Sequence, residues 1–138
     1  MATINETQQE IIEEFSIFDD WMDKYEYIID MGKNLPKLND ELKKDEFLIS
    51  GCQSRVWLVP EIKDGKLFFL ADSDAIITKG IVSLLLRVFN NRTPKEIKES
   101  KLFFIEKIGL SDNLSPTRAN GLASMIDKIY HYADSFDK

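Results

Sequence analysis

"WLVPEIKDGKLFFLAD", residues 57–72, decides the fold. Two apolar-rich runs flank Asp64-Gly65, a dipeptide suited to a type I′ turn, which needs positive φ at both central positions. Closing the turn there sets Ile62 opposite Leu67 and Val59 opposite Leu70. Both faces of the hairpin carry apolar side chains, so helices are expected on at least one side. Pro60 has no N–H to give to a ladder, which favours an edge or a bulge at that point. Strand character begins upstream at Phe47, so the sheet is expected to be small and antiparallel, with about three strands.

Helical patterns lie on either side. Thr3 or Asn5 can cap a first helix whose stripe is Ile11, Ile12, Phe15 and Phe18. Asp19-Asp20 restarts it, Trp21, Met22, Tyr25, Ile28 and Ile29 follow at helical spacing, and Gly32 reads as a stop signal. Beyond the hairpin, "DSDAIITKGIVSLLLRVFNN" is a helix opened by Ser73 or Asp74. Lys79, Ser83 and Arg87, four apart, form its single polar stripe, which predicts a central core helix. Thr93-Pro94 with Glu96, and Ser115-Pro116, open two more helices, because proline at the first helical position gives up no needed donor. The last helix turns Leu122, Met125, Ile126, Ile129 and Ala133 to the core. The order helices, sheet, helices defines an α+β fold, expected as a single domain over residues 1–138.

Net charge is −6 with no Lys/Arg cluster, which argues against a nucleic-acid surface. One cysteine and one histidine leave no internal disulfide and no conventional nitrogen–sulfur metal set. The amino terminus is polar and acidic, unlike a signal peptide, and no apolar run reaches the ~18 residues of a membrane span. A cytoplasmic chain with a reduced thiol is the expectation.

That thiol, Cys52, sits in "FLISGCQSRVWLVP", residues 47–60. Free cysteine often serves as a small buried hydrophobe. Here Gly51 lets the backbone turn out of a strand, and Gln53, Ser54 and Arg55 are polar, so the thiol stands where strand becomes loop. A guanidinium nearby would favour the thiolate, with Arg55 the local candidate and a plain surface arginine its rival reading. Cys-x-x-Cys exchange chemistry is absent, and His131 lies far along the last helix without an identified orienting group. Chemistry that needs one sulfur and no resident base remains: taking up a sulfur atom from a donor persulfide and passing it on.

"GCQSRVWL", "DSDAIITKGIVSLLL" and "LSPTRANGL" resemble, in that order, the SufE/CsdE family of sulfur acceptors in iron–sulfur cluster assembly. The resemblance implies a fold shared with scaffolds of the IscU type. It implies that Cys52 receives sulfane sulfur from a pyridoxal-phosphate cysteine desulfurase of the SufS/CsdA type. The acceptor would stimulate that enzyme and supply a SufB-type scaffold complex, with pyridoxal phosphate held by the partner and no cofactor or metal here. By position, Gly51, Gln53, Ser54 and Arg55 shape the cysteine loop, and Asp74, Arg118, Asn120 and Gly121 serve partner binding. Arg55 departs from relatives that carry glutamine or another polar residue. Asp74 reads equally as a helix cap. Gly121, costing roughly 1 kcal/mol in a helix relative to alanine, marks close approach either of the cysteine loop or of another helix. Gly80 admits the same two readings.

Two other functions compete with the carrier: a non-covalent desulfurase-binding adaptor with a structural Cys52, and an unrelated cysteine enzyme dependent on His131. Monomer and homodimer are both open.

Overall fold

Polar residues fall where helix ends need them. In the computed structural model, which describes residues 2–49 and 54–137, Thr3 caps α1 (Ile4–Phe15) in a capping box with Glu6. Thr3 Oγ1 accepts the Glu6 N–H at 3.1 Å, and Glu6 Oε1 accepts the Thr3 N–H at 3.0 Å. Asp20 caps α2 (Trp21–Lys33) by accepting the Asp23 N–H at 2.9 Å, so the acidic pair does restart the helix. The connection to the sheet contains two single 3-10 turns, Asp40–Leu42 and Asp45–Phe47.

The hairpin forms as its turn chemistry dictates. β1 (Val56–Lys63) pairs antiparallel with β2 (Lys66–Ser73), with Ile62 opposite Leu67 and Val59 opposite Leu70. Asp64 (φ 52°) and Gly65 (φ 77°) supply the positive angles. Pro60 stands opposite Phe69, whose N–H points away from β1 to Asn90 Oδ1 at 2.8 Å. Pro60 therefore occupies a non-hydrogen-bonded position, where its missing donor faces outward and no ladder bond is lost. It causes no bulge.

The sheet is smaller than expected. Among the described residues it has two strands, and the would-be third is reduced to one bridge, Leu48 to Trp57, with Ile49 N–H donating to Val56 O at 2.8 Å. Phe47 closes a 3-10 turn instead of starting a strand.

α3 (Ile76–Phe89) crosses the sheet and is buried on most of its circumference. Its polar stripe makes specific bonds. Lys79 pairs with Asp72, Ser83 Oγ donates to Met31 O, and Arg87 forks onto the Glu14 carboxylate. Gly80 on α3 meets Gly32 on α2: a Cβ on Gly32 would stand 2.6 Å from Gly80 N. A Cβ on Gly80 would strike Ile28 O and come within 2.6 Å of Ile28 Cγ2. Gly32 is thus a helix-crossing residue inside α2, not its stop; Asn34 ends the helix. For Gly80 the helix-packing reading is correct.

α4 (Pro94–Glu99) carries the Thr93–Glu96 capping box, and α5 (Phe104–Lys107) and α6 (Leu110–Asn113) are single turns. Ser115 caps α7 (Pro116–Phe136). Leu122, Met125, Ile129 and Ala133 are buried on α7, with Ile126 packed at the margin. One apolar cluster joins these residues to α1, α3 and the hairpin face formed by Val56, Leu58, Leu67, Phe69 and Ala71. Buried side-chain polar groups among the described residues are satisfied. Gln8, fully buried, accepts the Phe103 and Phe104 N–H groups and donates to Lys101 O. Arg92 donates to Val88 O, Thr7 Oγ1 and Ala2 O, which fastens the amino terminus. No described helix is long and apolar enough to cross a membrane.

The glycine crossing yields a test. Gly80→Ala should destabilise the fold by about 3 kcal/mol, at the upper end of overpacking costs, because the added methyl meets backbone that cannot step aside. Urea unfolding measures it; an unchanged midpoint would mean that α2 and α3 part freely.

Candidate functional site

Cys52, Gly51 and Gln53 lie outside the described residues; the site is built from what flanks them. On the downstream side, Arg55 is held through its backbone. Its N–H donates to Asp74 Oδ1 at 3.0 Å, and its carbonyl accepts from Asp74 N–H at 3.2 Å and from Ser73 Oγ at 2.8 Å. The Arg55 residue itself is exposed. These bonds join residue 55 to the entry of α3, where Ser73 Oγ also accepts the Ala75 N–H at 3.2 Å.

The expected cap of α3 is corrected by this arrangement. The N-cap is Ala75, without a side-chain bond. Asp74 spends its carboxylate on Arg55 rather than on the helix, and Ser73 spends its hydroxyl on the Arg55 carbonyl and Ala75. The exposed Asp74 is therefore a tether between the cysteine segment and α3.

One residue nearer the cysteine, Ser54 Oγ lies 3.3 Å from Thr78 Oγ1. Both hydroxyls line a cavity of about 260 Å³ whose other described walls are Ala75, Ile81, Thr117, Arg118, Gly121 and Met125. Ser54 belongs to the cysteine segment, Ala75 and Thr78 to α3 and its cap, and Arg118 and Gly121 to α7. Stretches far apart in the chain thus meet at one opening. Gly121 is buried and belongs to the same lining as Ser54. Arg118 is half-buried at this cavity, whereas Asn120 is exposed and outside its described lining. The chemistry available is a mixed one: apolar walls from Ile81 and Met125, hydroxyls from Ser54, Thr78 and Thr117, and one guanidinium.

On the upstream side, Leu48 and Ile49 share a second depression, about 350 Å³, with Ser124, Asp127, Lys128 and His131 of α7. His131 is exposed, as a helix-surface histidine should be. Among the described residues no three His, Cys, Asp or Glu side chains converge to hold a metal ion.

A charged cluster buttresses the α3 entry. Asp72, 8% exposed, pairs with Lys43 at 3.1 Å and Lys79 at 3.3 Å and accepts the Ser73 N–H at 2.8 Å. Lys43 Nζ lies 5.5 Å from the centre of the half-buried Trp57 ring. Burial pushes the Asp72 carboxyl up, but the Ser73 N–H and the two ammonium groups together outweigh it, and the net shift is downward from 3.8. Sequence reasoning missed Thr78 and Asp72. Thr78 was legible only as a lone hydroxyl on the apolar side of α3.

Fold and site together define a class: a small α+β module in which Ser54, downstream of the lone cysteine in sequence, lines a mixed apolar and hydroxyl-lined cavity. Residues 9–133 match the SufE Fe–S metabolism associated domain, and the chain belongs to this family. It is 40% identical over 130 residues to an uncharacterized SufE-like protein of Rhizobium meliloti, covering 91% of this chain and 93% of the relative. It is 41% identical over 125 residues to a SufE-like protein of Rhizobium etli, covering 87% and 84%. The solution structure of a hypothetical protein from Thermus thermophilus superposes with a TM-score of 0.77 at 15% identity, over 94% and 95% of the two chains, which establishes the fold. Family membership places the chain in iron–sulfur metabolism.

The Asp72 cluster makes a pH prediction. A carboxyl whose folded pKa is depressed adds stability above its unfolded value and loses it as pH falls through the folded value. Asp72→Asn should therefore lower the urea midpoint at neutral pH, and the gap to wild type should close below pH 3.8. Equal midpoints at neutral pH would show that the two lysines contribute nothing through Asp72.

Proposed function

We propose that this chain is a sulfur carrier: Cys52 takes sulfane sulfur from a pyridoxal-phosphate cysteine desulfurase of the SufS/CsdA type and yields it to a SufB-type scaffold. One observation carries the reading. The segment that bears Cys52 is tied by Ser54 and Arg55 to Thr78, Ser73 and Asp74, and it adjoins a cavity completed by Arg118 and Gly121. Covalent geometry alone keeps the Cys52 Cα within about 7 Å of that of Ser54.

The chemistry is an exchange without net oxidation. The Cys52 thiolate attacks the outer sulfur of the donor's persulfide. The donor's sulfur–sulfur bond breaks, its electron pair leaves with the donor cysteine as thiolate, and Cys52 now holds the persulfide. A second thiol repeats the step on the acceptor side. The rate depends on thiolate fraction and access, so no resident general base is required. Pyridoxal phosphate does its work on the desulfurase. Arg118, at the cavity, and Asp74, bonded to Arg55, suit a role in desulfurase docking, while the tether to α3 supports the downstream leg of that segment.

Intact mass spectrometry after incubation with a desulfurase and free cysteine provides the test. The chain should gain about one sulfur mass, removable by reductant, and Cys52→Ser should gain none and lose stimulation of the desulfurase. If Cys52→Ser still stimulates fully, the chain is a non-covalent adaptor. Arg118→Glu should weaken stimulation by about tenfold, the scale of one lost charge contact at an interface, with Cys52 still able to react with a small thiol reagent.

A further inference from the structure

The outer edge of β2 is closed at both ends and open between them. At the hairpin end, Leu67 N–H donates to Arg92 O at 2.7 Å and Leu67 O accepts the Asn91 N–H at 2.8 Å. Phe69 N–H is taken by Asn90 Oδ1. At the far end, Ser73 N–H turns to the Asp72 carboxylate. By the strand's alternation, Phe69 C=O, Ala71 N–H and Ala71 C=O point the same way as these groups. Among the described residues they make no hydrogen bond. Ala71 is 3% exposed and lines a groove of about 480 Å³. Leu35, Pro36, Leu86 and Asn90 also line it.

We infer that this groove binds an extended segment of a partner protein, which adds as a short strand to the β2 edge at Phe69–Ala71. Unmade main-chain bonds in a sheltered place favour an occupant that can make them, and only another main chain matches such a row. Side chains at alternate positions of the incoming strand would rest on the apolar walls. A second copy of this chain is the wrong occupant on grounds of size. Three residues of strand span about 10 Å, whereas a stable dimer needs about 800 Å² from each partner. Of the charged residues at the groove, Arg87 is paired with Glu14, and Glu61 and Lys63 are one of each sign, which leaves selection to the backbone and the apolar positions. The inference is independent of sulfur uptake at Cys52.

The full chain, labelled with nitrogen-15, is titrated with a blocked peptide of alternating valine and threonine. A second peptide has methyl groups on the amide nitrogens that would face β2. Saturable movement of the Ala71 amide resonance, with its hydrogen exchange slowed about tenfold or more, and neither effect from the methylated peptide, is the expected result. An Ala71 amide that stays unmoved at about 1 mM peptide overturns the inference. So does an equal response to the methylated peptide, which would reduce the groove to an apolar surface. Loss of the Ala71 amide into a self-association interface as protein concentration rises would assign the edge to a second copy and overturn it as well.

Discussion

The contact between Gly32 and Gly80 is the constraint from which the arrangement follows. Neither residue carries a side chain, so α2 and α3 approach until backbone meets backbone at Gly80 N and Ile28 O. That fixes α3 against the first half of the chain. Arg87, on the same helix, then reaches Glu14, whose carboxyl is held below its ordinary value by the guanidinium and by Tyr27, despite partial burial. The other end of α3 begins where β2 stops. Its entry residues Ser73 and Asp74 hold Arg55, and Thr78 on its first turn meets Ser54. A core helix and its entry thereby set the positions of Ser54 and Arg55.

This division suits a carrier. A sulfur atom handed between proteins needs a nucleophile that a partner can reach and a scaffold that stays folded while the segment is engaged. The scaffold's cohesion comes from the apolar cluster of α1, α3, α7 and the hairpin. The cavity's mixed lining also fits the task, since a persulfide is a polarizable group with an ionisable end. Ile81 and Met125 offer apolar contact, while Thr78, Thr117 and Arg118 offer donors.

Much of the fold was legible because its chemistry is local. The Asp64-Gly65 turn, both proline-led helix starts and the Asp20 restart each depend on residues within four positions of one another, and each formed as read. What misled was tertiary. Gly32 resembles a helix stop until the partner glycine on α3 is known. Asp74 looks like a cap because caps and tethers use the same carboxylate, and only the fold brings Arg55 to it. Among the described residues the third strand is reduced to the Leu48–Trp57 bridge, because Phe47 is drawn into a 3-10 turn just before it. For the site, Ser54, Arg118 and Gly121 were named from the sequence and do share one cavity. Thr78 was overlooked because nothing near it in the chain marks it, and Asn120 stands outside the described lining.

The central claim is that the cavity bounded by Ser54, Thr78, Arg118 and Gly121 takes part in moving sulfur through Cys52. Its most direct test is single-turnover transfer of radiolabelled sulfur from a loaded desulfurase to wild-type chain and to Gly121→Val, which adds a branched side chain to the cavity lining. With both proteins shown by melting to be folded, transfer to the variant should slow by about tenfold or more, the rate equivalent of about 1.4 kcal/mol. Transfer at the wild-type rate would contradict the account and leave the cavity a gap in packing.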